Sequence, residues 1–324
     1  MKTLRAAAAL LALSMLALPA HAAMEASWTA TIDTDDPTRM YLNIARGRNH
    51  NNGSTMLLAD FAGLSRAQVQ STTSTPVQFA LRREAGTASF EGTFRNGKGA
   101  GHLTFAGNRA FFQTLRGLGV DPDLGERQSE EETLFALAIH DVSSAFIRSM
   151  QAEGYRVPLE KYVALRIFRV TPEYIREMRS LGFNDLDVED LLATRIHKVT
   201  PDYIRQMRAA GWDLSMDDLQ ASRIHGATPE FAAAMHKLGY DLDFDDLVSF
   251  RIHRVTPDFI AELRNLGYKD VPADDLVAMR IHRVTPEFIR ELEAAGYTGV
   301  PVSKLVSMRI HGVDAKFVRK MRDR

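Results

Sequence analysis

The sequence predicts an α+β fold: a small N-terminal antiparallel β domain followed by an α-solenoid of 28–29-residue two-helix repeats. Two observations carry the prediction. The stretch Arg280-Ile-His-Arg-Val-Thr-Pro-Glu-Phe-Ile-Arg-Glu-Leu-Glu-Ala-Ala-Gly-Tyr297 recurs from Arg166, Arg195, Arg223, Arg251 and Arg309, with a looser copy from Ala138. Successive copies start 28 or 29 residues apart. A fixed period of this size is the signature of stacked units, each burying its apolar face only against its neighbours. Residues 24–107 lack the repeat and alternate apolar with polar side chains, the pattern of half-buried strands. The expected organisation is a leader over 1–22, a β domain over 23–107 and a repeat array over 108–324.

Met1–Ala22 reads as a secretory signal. Lys2 and Arg5 precede an apolar run, Ala6–Leu18, and Ala20-His21-Ala22 supplies a small-x-small cleavage site. The run is short for a bilayer span. Export would place the mature chain in the periplasm or outside the cell. The sequence contains no cysteine, so its stability there is expected from burial, not disulfides.

In the β region, Trp28, Ala30 and Ile32 alternate with polar residues, and so do Val77, Phe79 and Leu81. Tyr41–Ala45 and Ser89–Phe94 are further strand candidates. Asn96-Gly97, between Phe90/Phe94 and Leu103/Phe105, is a type I′ hairpin signal. A sheet of about four to six strands is expected. Arg46–Gly53 reads as a loop, Gly63–Val69 as a short helix, and Asn108 as the cap of the first repeat helix.

Each repeat holds a helix A and a helix B. Helix A opens on Thr171, Thr200, Thr228, Thr256 or Thr285, each followed by proline. Threonine at the N-cap accepts from an orphan N–H, and proline at N1 lacks the N–H that would go unused. Eleven residues after each cap stands Gly182, Gly211, Gly239, Gly267 or Gly296, the expected left-handed helix end, followed by an aromatic residue. Helix B precedes each Arg-Ile-His. Val188, Leu191, Leu192 and Ile196 form its apolar stripe in one copy. Asp187, Ser215 and Asp243, each with an acid three residues on, are its expected caps.

Composition and motifs narrow the function. Without Lys2 and Arg5, the 40 basic residues fall to 38 against 41 acidic ones, a net charge of about −3. Opposite charges are interspersed, so there is no nucleic-acid footprint. No zinc-protease, Gly-x-Ser-x-Gly or phosphate-loop motif occurs, and thiol chemistry is impossible without cysteine. No cofactor or metal is expected. The recurrent histidines His140, His197, His225, His253, His282 and His311 read as helix-end caps, with pH sensing as the functional alternative. One histidine per repeat cannot share an ion, because stacked helices lie about 8–10 Å apart. The arginine column from Arg166 to Arg309 reads as inter-repeat ion pairing with acids such as Asp190, Asp218 and Asp246, with anion binding as its alternative.

The stretch from Phe90 to Arg324 resembles the extracytoplasmic C-terminal region of some bacterial membrane zinc metallopeptidases of the beta-lactam-sensor type. The residues carrying the resemblance are Gly99-Ala-Gly-His-Leu-Thr-Phe105 and the Arg-Ile-His-x-Val-Thr-Pro-Glu-Phe-Ile units. The peptidase's membrane helices and zinc motif do not occur here, so no catalytic residue carries over. The resemblance implies a freestanding sensor or interaction module.

The expected function is a non-enzymatic exported scaffold binding a protein or cell-envelope component. Arg176, Arg205, Arg264 and Arg290 on helix A are its candidate contact residues. The alternative is an extracytoplasmic sensory domain that responds to a ligand or pH and acts on a membrane receptor. A hydrolase with an unfamiliar site in residues 24–107 is the third reading.

Overall fold

A computed structural model describes residues 24–46, 50–122 and 129–322. The leader expected over Met1–Ala22 lies outside the described residues. The chain forms two compact units divided between Ile167 and Phe168. The α+β class is as the sequence predicts: a curled antiparallel sheet, then consecutive short helices. The secondary-structure change expected near residue 107 is present, but the first compact unit continues past it to Ile167.

In the first unit the strands are β1 (Met24–Ile32), β2 (Arg39–Arg46), β3 (His50–Leu57), β4 (Phe61–Ala62), β5 (Thr75–Arg83), β6 (Gly86–Arg95) and β7 (Lys98–Gly107). A short helix α1 (Arg66–Gln70) separates β4 from β5. The sheet order is β3-β2-β1-β7-β6-β5-β4, antiparallel throughout. The sheet thus has seven strands where four to six are expected. The extra strand β3 begins inside the expected loop: His50–Gly53 pair with Asn43–Arg46 instead of turning freely. Asn and Gly are turn formers by propensity, but a waiting strand edge overrides that preference.

Trp28 anchors the sheet. Its register partner is Gly101, which faces Gly92 on β6, so the indole lies across a lane without side chains. A Cβ on Gly92 would stand 2.7 Å from the indole and 2.2 Å from the Ala100 carbonyl. The indole Nε1 donates to the carbonyls of His102 (3.0 Å) and Glu91 (3.2 Å), satisfying the one polar atom of a buried ring. Phe79 meets Trp28 edge-on at 5.4 Å and stacks on Phe90 at 4.6 Å. The hairpin turn is as read: Asn96 and Gly97 both take positive φ.

Four helices complete this unit: α2 (Ala110–Gly117), α3 (Glu130–Ile139), α4 (Ser144–Ala152) and α5 (Leu159–Ile167). Asn108 does not cap α2. Its side-chain amide donates to the Glu84 carbonyl at 2.8 Å, and the helix starts two residues later. The sheet docks chiefly on α3, the first helix B, not on α2. Phe105 meets Phe135 edge-on at 5.2 Å, and Arg46 pairs with Glu132 at 2.8 Å. Arg83 lies between Asp60 (3.0 Å) and Asp141 (3.1 Å).

The second unit holds helices of type A, α6 (Pro172–Ser180), α8 (Pro201–Ala209), α10 (Pro229–Lys237), α12 (Pro257–Asn265), α14 (Pro286–Ala294) and α16 (Ala315–Arg322). They alternate with type B, α7 (Val188–Ile196), α9 (Met216–His225), α11 (Phe244–Ile252), α13 (Ala273–Ile281) and α15 (Val302–Ile310). Like packs on like along the series: α7 to α9, α11, α13 and α15, and α12 to α14 and α16. Each threonine cap accepts from the N–H three residues on, as Thr200 does from Tyr203 at 3.2 Å. Each glycine end is a Schellman closure: the Tyr240 N–H donates to the Met235 carbonyl at 3.1 Å, with Gly239 at φ +86°. Helix B caps are also as expected, with Asp187 and Asp243 each accepting at 2.8 Å.

A Cβ on Gly239 would meet nothing within 4 Å, so only the backbone forbids one. Gly239→Val should therefore cost about 1–2 kcal/mol, the penalty of a left-handed L-residue. Gly239→Asn should cost much less. Denaturant midpoints of the two variants check this, and equal midpoints would contradict it.

Candidate functional site

The Arg-Ile-His motif ends helix B, and each of its residues has a different task. The arginine reaches back one repeat. Its Nε donates to the carbonyl at the end of the preceding helix B: Arg166 to His140 (3.0 Å), Arg195 to Phe168 (2.9 Å), Arg251 to His225 (3.1 Å) and Arg280 to His253 (3.2 Å). Its guanidinium lies over the ring three residues after the preceding helix A cap. The distances are 4.8 Å for Arg195 over Tyr174, 4.4 Å for Arg223 over Tyr203, 4.7 Å for Arg251 over Phe231 and 4.9 Å for Arg280 over Phe259. Carbonyl bond and cation–π contact together clasp neighbouring repeats.

The expected ion pairing with Asp190, Asp218 and Asp246 is not formed among the described residues. Those acids stand in the first turn of helix B, and the arginines in the last. Five residues separate acid from arginine along the helix, a rise of about 7.5 Å, and the arginine is engaged instead by the preceding carbonyl and ring.

The ring under the clasp is tuned to the next repeat. Tyr174 donates its hydroxyl to Thr194 at 2.7 Å. Tyr203 shares a short hydrogen bond with Ser222, which itself donates to the Ala227 carbonyl at 2.7 Å. Burial raises the pKa of both phenols, so both remain protonated. In the following repeats the ring is Phe231, Phe259 or Phe288, and the corresponding helix B residue is Phe250, Met279 or Met308. Hydroxyl faces hydroxyl, and apolar faces apolar, because an unmatched buried hydroxyl is costly.

The histidines are the end residues of helix B, and what the fold uses is the main-chain carbonyl. Phe168 substitutes for histidine without loss because its carbonyl still accepts from Arg195. The following residue is left-handed, with φ between 54° and 58° at Asp141, Lys198, Arg254 and Arg283. Gly226 and Gly312 fill that place in two repeats, a signal available in the sequence. Among the described residues no three His, Cys, Asp or Glu side chains gather as a metal-ligand group.

His140 stands next to Arg166, whose Nε donates to its carbonyl at 3.0 Å. Burial first, and the nearby Arg166 charge second, lower its pKa below 6.5. The folded chain therefore binds fewer protons than the unfolded chain as pH falls through 6.5.

Of the proposed contact arginines, Arg176, Arg205 and Arg290 share one helix A position, five residues after the cap, while Arg264 stands eight after. Arg205 bridges Asp202 and Glu177 of the preceding helix A, both at 2.7 Å. Arg290 bridges Glu262 (3.0 Å) and Glu287 (3.3 Å), and Arg176 pairs with Glu173 at 2.9 Å. These are exposed, screened pairs of small energetic weight. Arg264 is half-buried and donates to the carbonyls of Leu238 and Lys269, so its role is to hold chain.

The isoleucine of the motif is what sequence reasoning misplaced. Ile196 belongs to the expected core stripe, yet it is half exposed. So are Ile224, Ile252, Ile281 and Ile310, at 49 to 56%. One such isoleucine stands near the end of each of five successive B helices, roughly 8–10 Å apart. The stripe pattern misleads because Leu192 and Ile196 are one turn apart at the edge of the apolar arc, where periodicity does not separate buried from exposed. Exposed Glu189, Asp217, Asp245 and Asp274 border the row at the helix starts. Exposed Lys198, Arg254 and Arg283 border it at the helix ends. An apolar row with a polar rim is the usual form of a protein-binding surface.

No protein-family model, curated protein or solved structure matches the chain. Among the described residues no helix is long and apolar enough to cross a membrane.

Two measurements test this geometry. Tyr203→Phe should destabilise the chain by about 1 kcal/mol. The pair Tyr203→Phe with Ser222→Met, which copies Phe259 and Met279, should recover most of that loss, as read by thermal unfolding; additive losses would show that the two positions do not act together. The melting temperature should also fall as pH is lowered from about 7.5 to about 5.5, and His140→Gln should flatten that fall. An identical slope in the variant would assign the pH dependence to other groups.

Proposed function

We propose that this protein is a non-enzymatic, exported interaction scaffold whose binding face is the isoleucine row of its helix B series. The observation that carries the reading is five half-exposed isoleucines at one position of successive B helices, while Val199, Val255, Val284, Ile204, Ile260 and Ile289 of the same motif are buried. A fold has no use for such a row. Leaving an isoleucine half exposed forgoes roughly 1 kcal/mol of burial, and the loss recurs with each repeat. The signal-like leader supports an extracytoplasmic location, and the resemblance to a sensor region supports a binding module over an enzyme. The helix A arginines Arg176, Arg205 and Arg290 offer a charged second face, which matches a partner less well because their guanidiniums are already paired.

A sensory role is the second reading, and the half-buried His140 beside Arg166 is the observation in its favour. It would operate through the stability of the first unit.

A photo-crosslinking residue at Ile252 should capture a defined protein in the producing cell, while one at the exposed helix A position Ala233 should not. The triple variant Ile224→Ser, Ile252→Ser, Ile281→Ser should lose the partner and keep its helicity. Equal capture from both positions, or capture by the triple variant, would move the binding face elsewhere.

A further inference from the structure

The first helix B already shows what covers this face. Counted from the Arg-Ile-His position, Glu132, Phe135 and Ile139 of α3 correspond to Glu189, Leu192 and Ile196 of α7, and to Asp245, Val248 and Ile252 of α11. In α7 and α11 the acid and the isoleucine are exposed. In α3 they are not open: Ile139 is 5% exposed, and α3 is the helix on which β6 and β7 pack.

The covering sheet supplies four contacts. Arg46 of β2 pairs with Glu132 at 2.8 Å and lies over the Phe135 ring at 5.8 Å. Phe105 of β7 meets the same ring edge-on at 5.2 Å. The Gly107 N–H at the end of β7 donates to Glu131 at 3.1 Å. One face thus accepts a β-sheet that sets an arginine on its acid, with an aromatic side chain two strands away on the same ring. Its later copies keep the acid (Glu189, Asp217, Asp245, Asp274) and the isoleucine, while Leu192, Gln220, Val248 or Val277 stands where α3 has the Phe135 ring.

We propose that the open helix B faces of the second unit bind a partner protein through a β-structured element that presents an arginine to the acid and apolar side chains to the isoleucine, repeating in trans the contact that Arg46 and its sheet make with α3. The proposal rests on the scaffold reading and narrows it to one partner chemistry. The acid row supplies the charge complement, and the isoleucine supplies the apolar seat. Because neighbouring faces repeat, a partner with several such strands gains by multivalency.

The test uses the full chain and two cyclic β-hairpin peptides, one with an arginine paired across the strands with phenylalanine, the other with glutamate in place of the arginine. Fluorescence anisotropy should show the arginine hairpin binding at least tenfold more tightly. Asp245→Lys with Asp274→Lys should reverse the preference, and the triple isoleucine-to-serine variant should abolish binding of both hairpins while keeping its helicity. Equal binding of the two hairpins would overturn the arginine rule. Failure of both hairpins, with crosslinking at Ile252 still yielding a partner, would overturn the β-element while the scaffold reading stands. Failure of both together with no crosslink would remove the scaffold reading as well. Concentration-dependent dimerisation lost in the triple variant would show that the row's occupant is a second copy of this chain, and would also overturn the proposal.

Discussion

A two-helix unit of 28 or 29 residues cannot enclose a core, so each repeat depends on the one before it. The clasp formed by the helix B arginine is where that dependence is concentrated. It ties together three things otherwise in separate repeats: a free carbonyl at a helix end, the face of a buried ring, and the last turn of the next helix B. The carbonyl must point outward for the bond to form, which the left-handed residue after the histidine ensures. The ring must lie flat beneath the guanidinium, which the threonine-capped first turn ensures. Arginine suits this place because its planar fork can stack and donate at once, which a lysine ammonium cannot.

The clasp also explains why the isoleucine is left outside. The arginine faces the preceding repeat, and the buried threonine, serine or methionine beside it faces helix A. The next position along the helix has only solvent or a partner to face. In the first unit the sheet takes that place over α3, and Ile139 is buried. The same surface thus ends the repeat series at one end and stands open in the second unit. A face that docks a β element in cis is a natural candidate to dock one in trans.

Much of this fold was legible in the sequence because its helix ends are specified locally. Thr-Pro starts, glycine ends with a following aromatic, and Asp or Ser caps with an acid three residues on are short-range chemistry, and each formed as read. The Asn96-Gly97 hairpin was legible for the same reason. Asn108 misled because its amide found the Glu84 carbonyl, a partner distant in sequence. The strand β3 was hidden because its Asn, Gly and His residues pair through the backbone with β2, and composition does not report an available edge. The matching of Tyr174 with Thr194 and of Tyr203 with Ser222 was written in the repeats, as a change of two positions together, but nothing in the spacing showed that the two positions touch.

By itself the sequence determined the period, the class, the helix boundaries of the Thr-Pro repeats and the absence of disulfide support, since each follows from residue type or from interactions within about one repeat. The tertiary structure decided which partner each arginine takes, which of the motif's apolar residues is buried and which helix receives the sheet. Those outcomes depend on where one repeat stands against another, and charge or periodicity along the chain is silent on that. An arginine placed near several acids and a carbonyl chooses by distance and direction. An isoleucine at the edge of an apolar arc is core or surface according to what lies across from it.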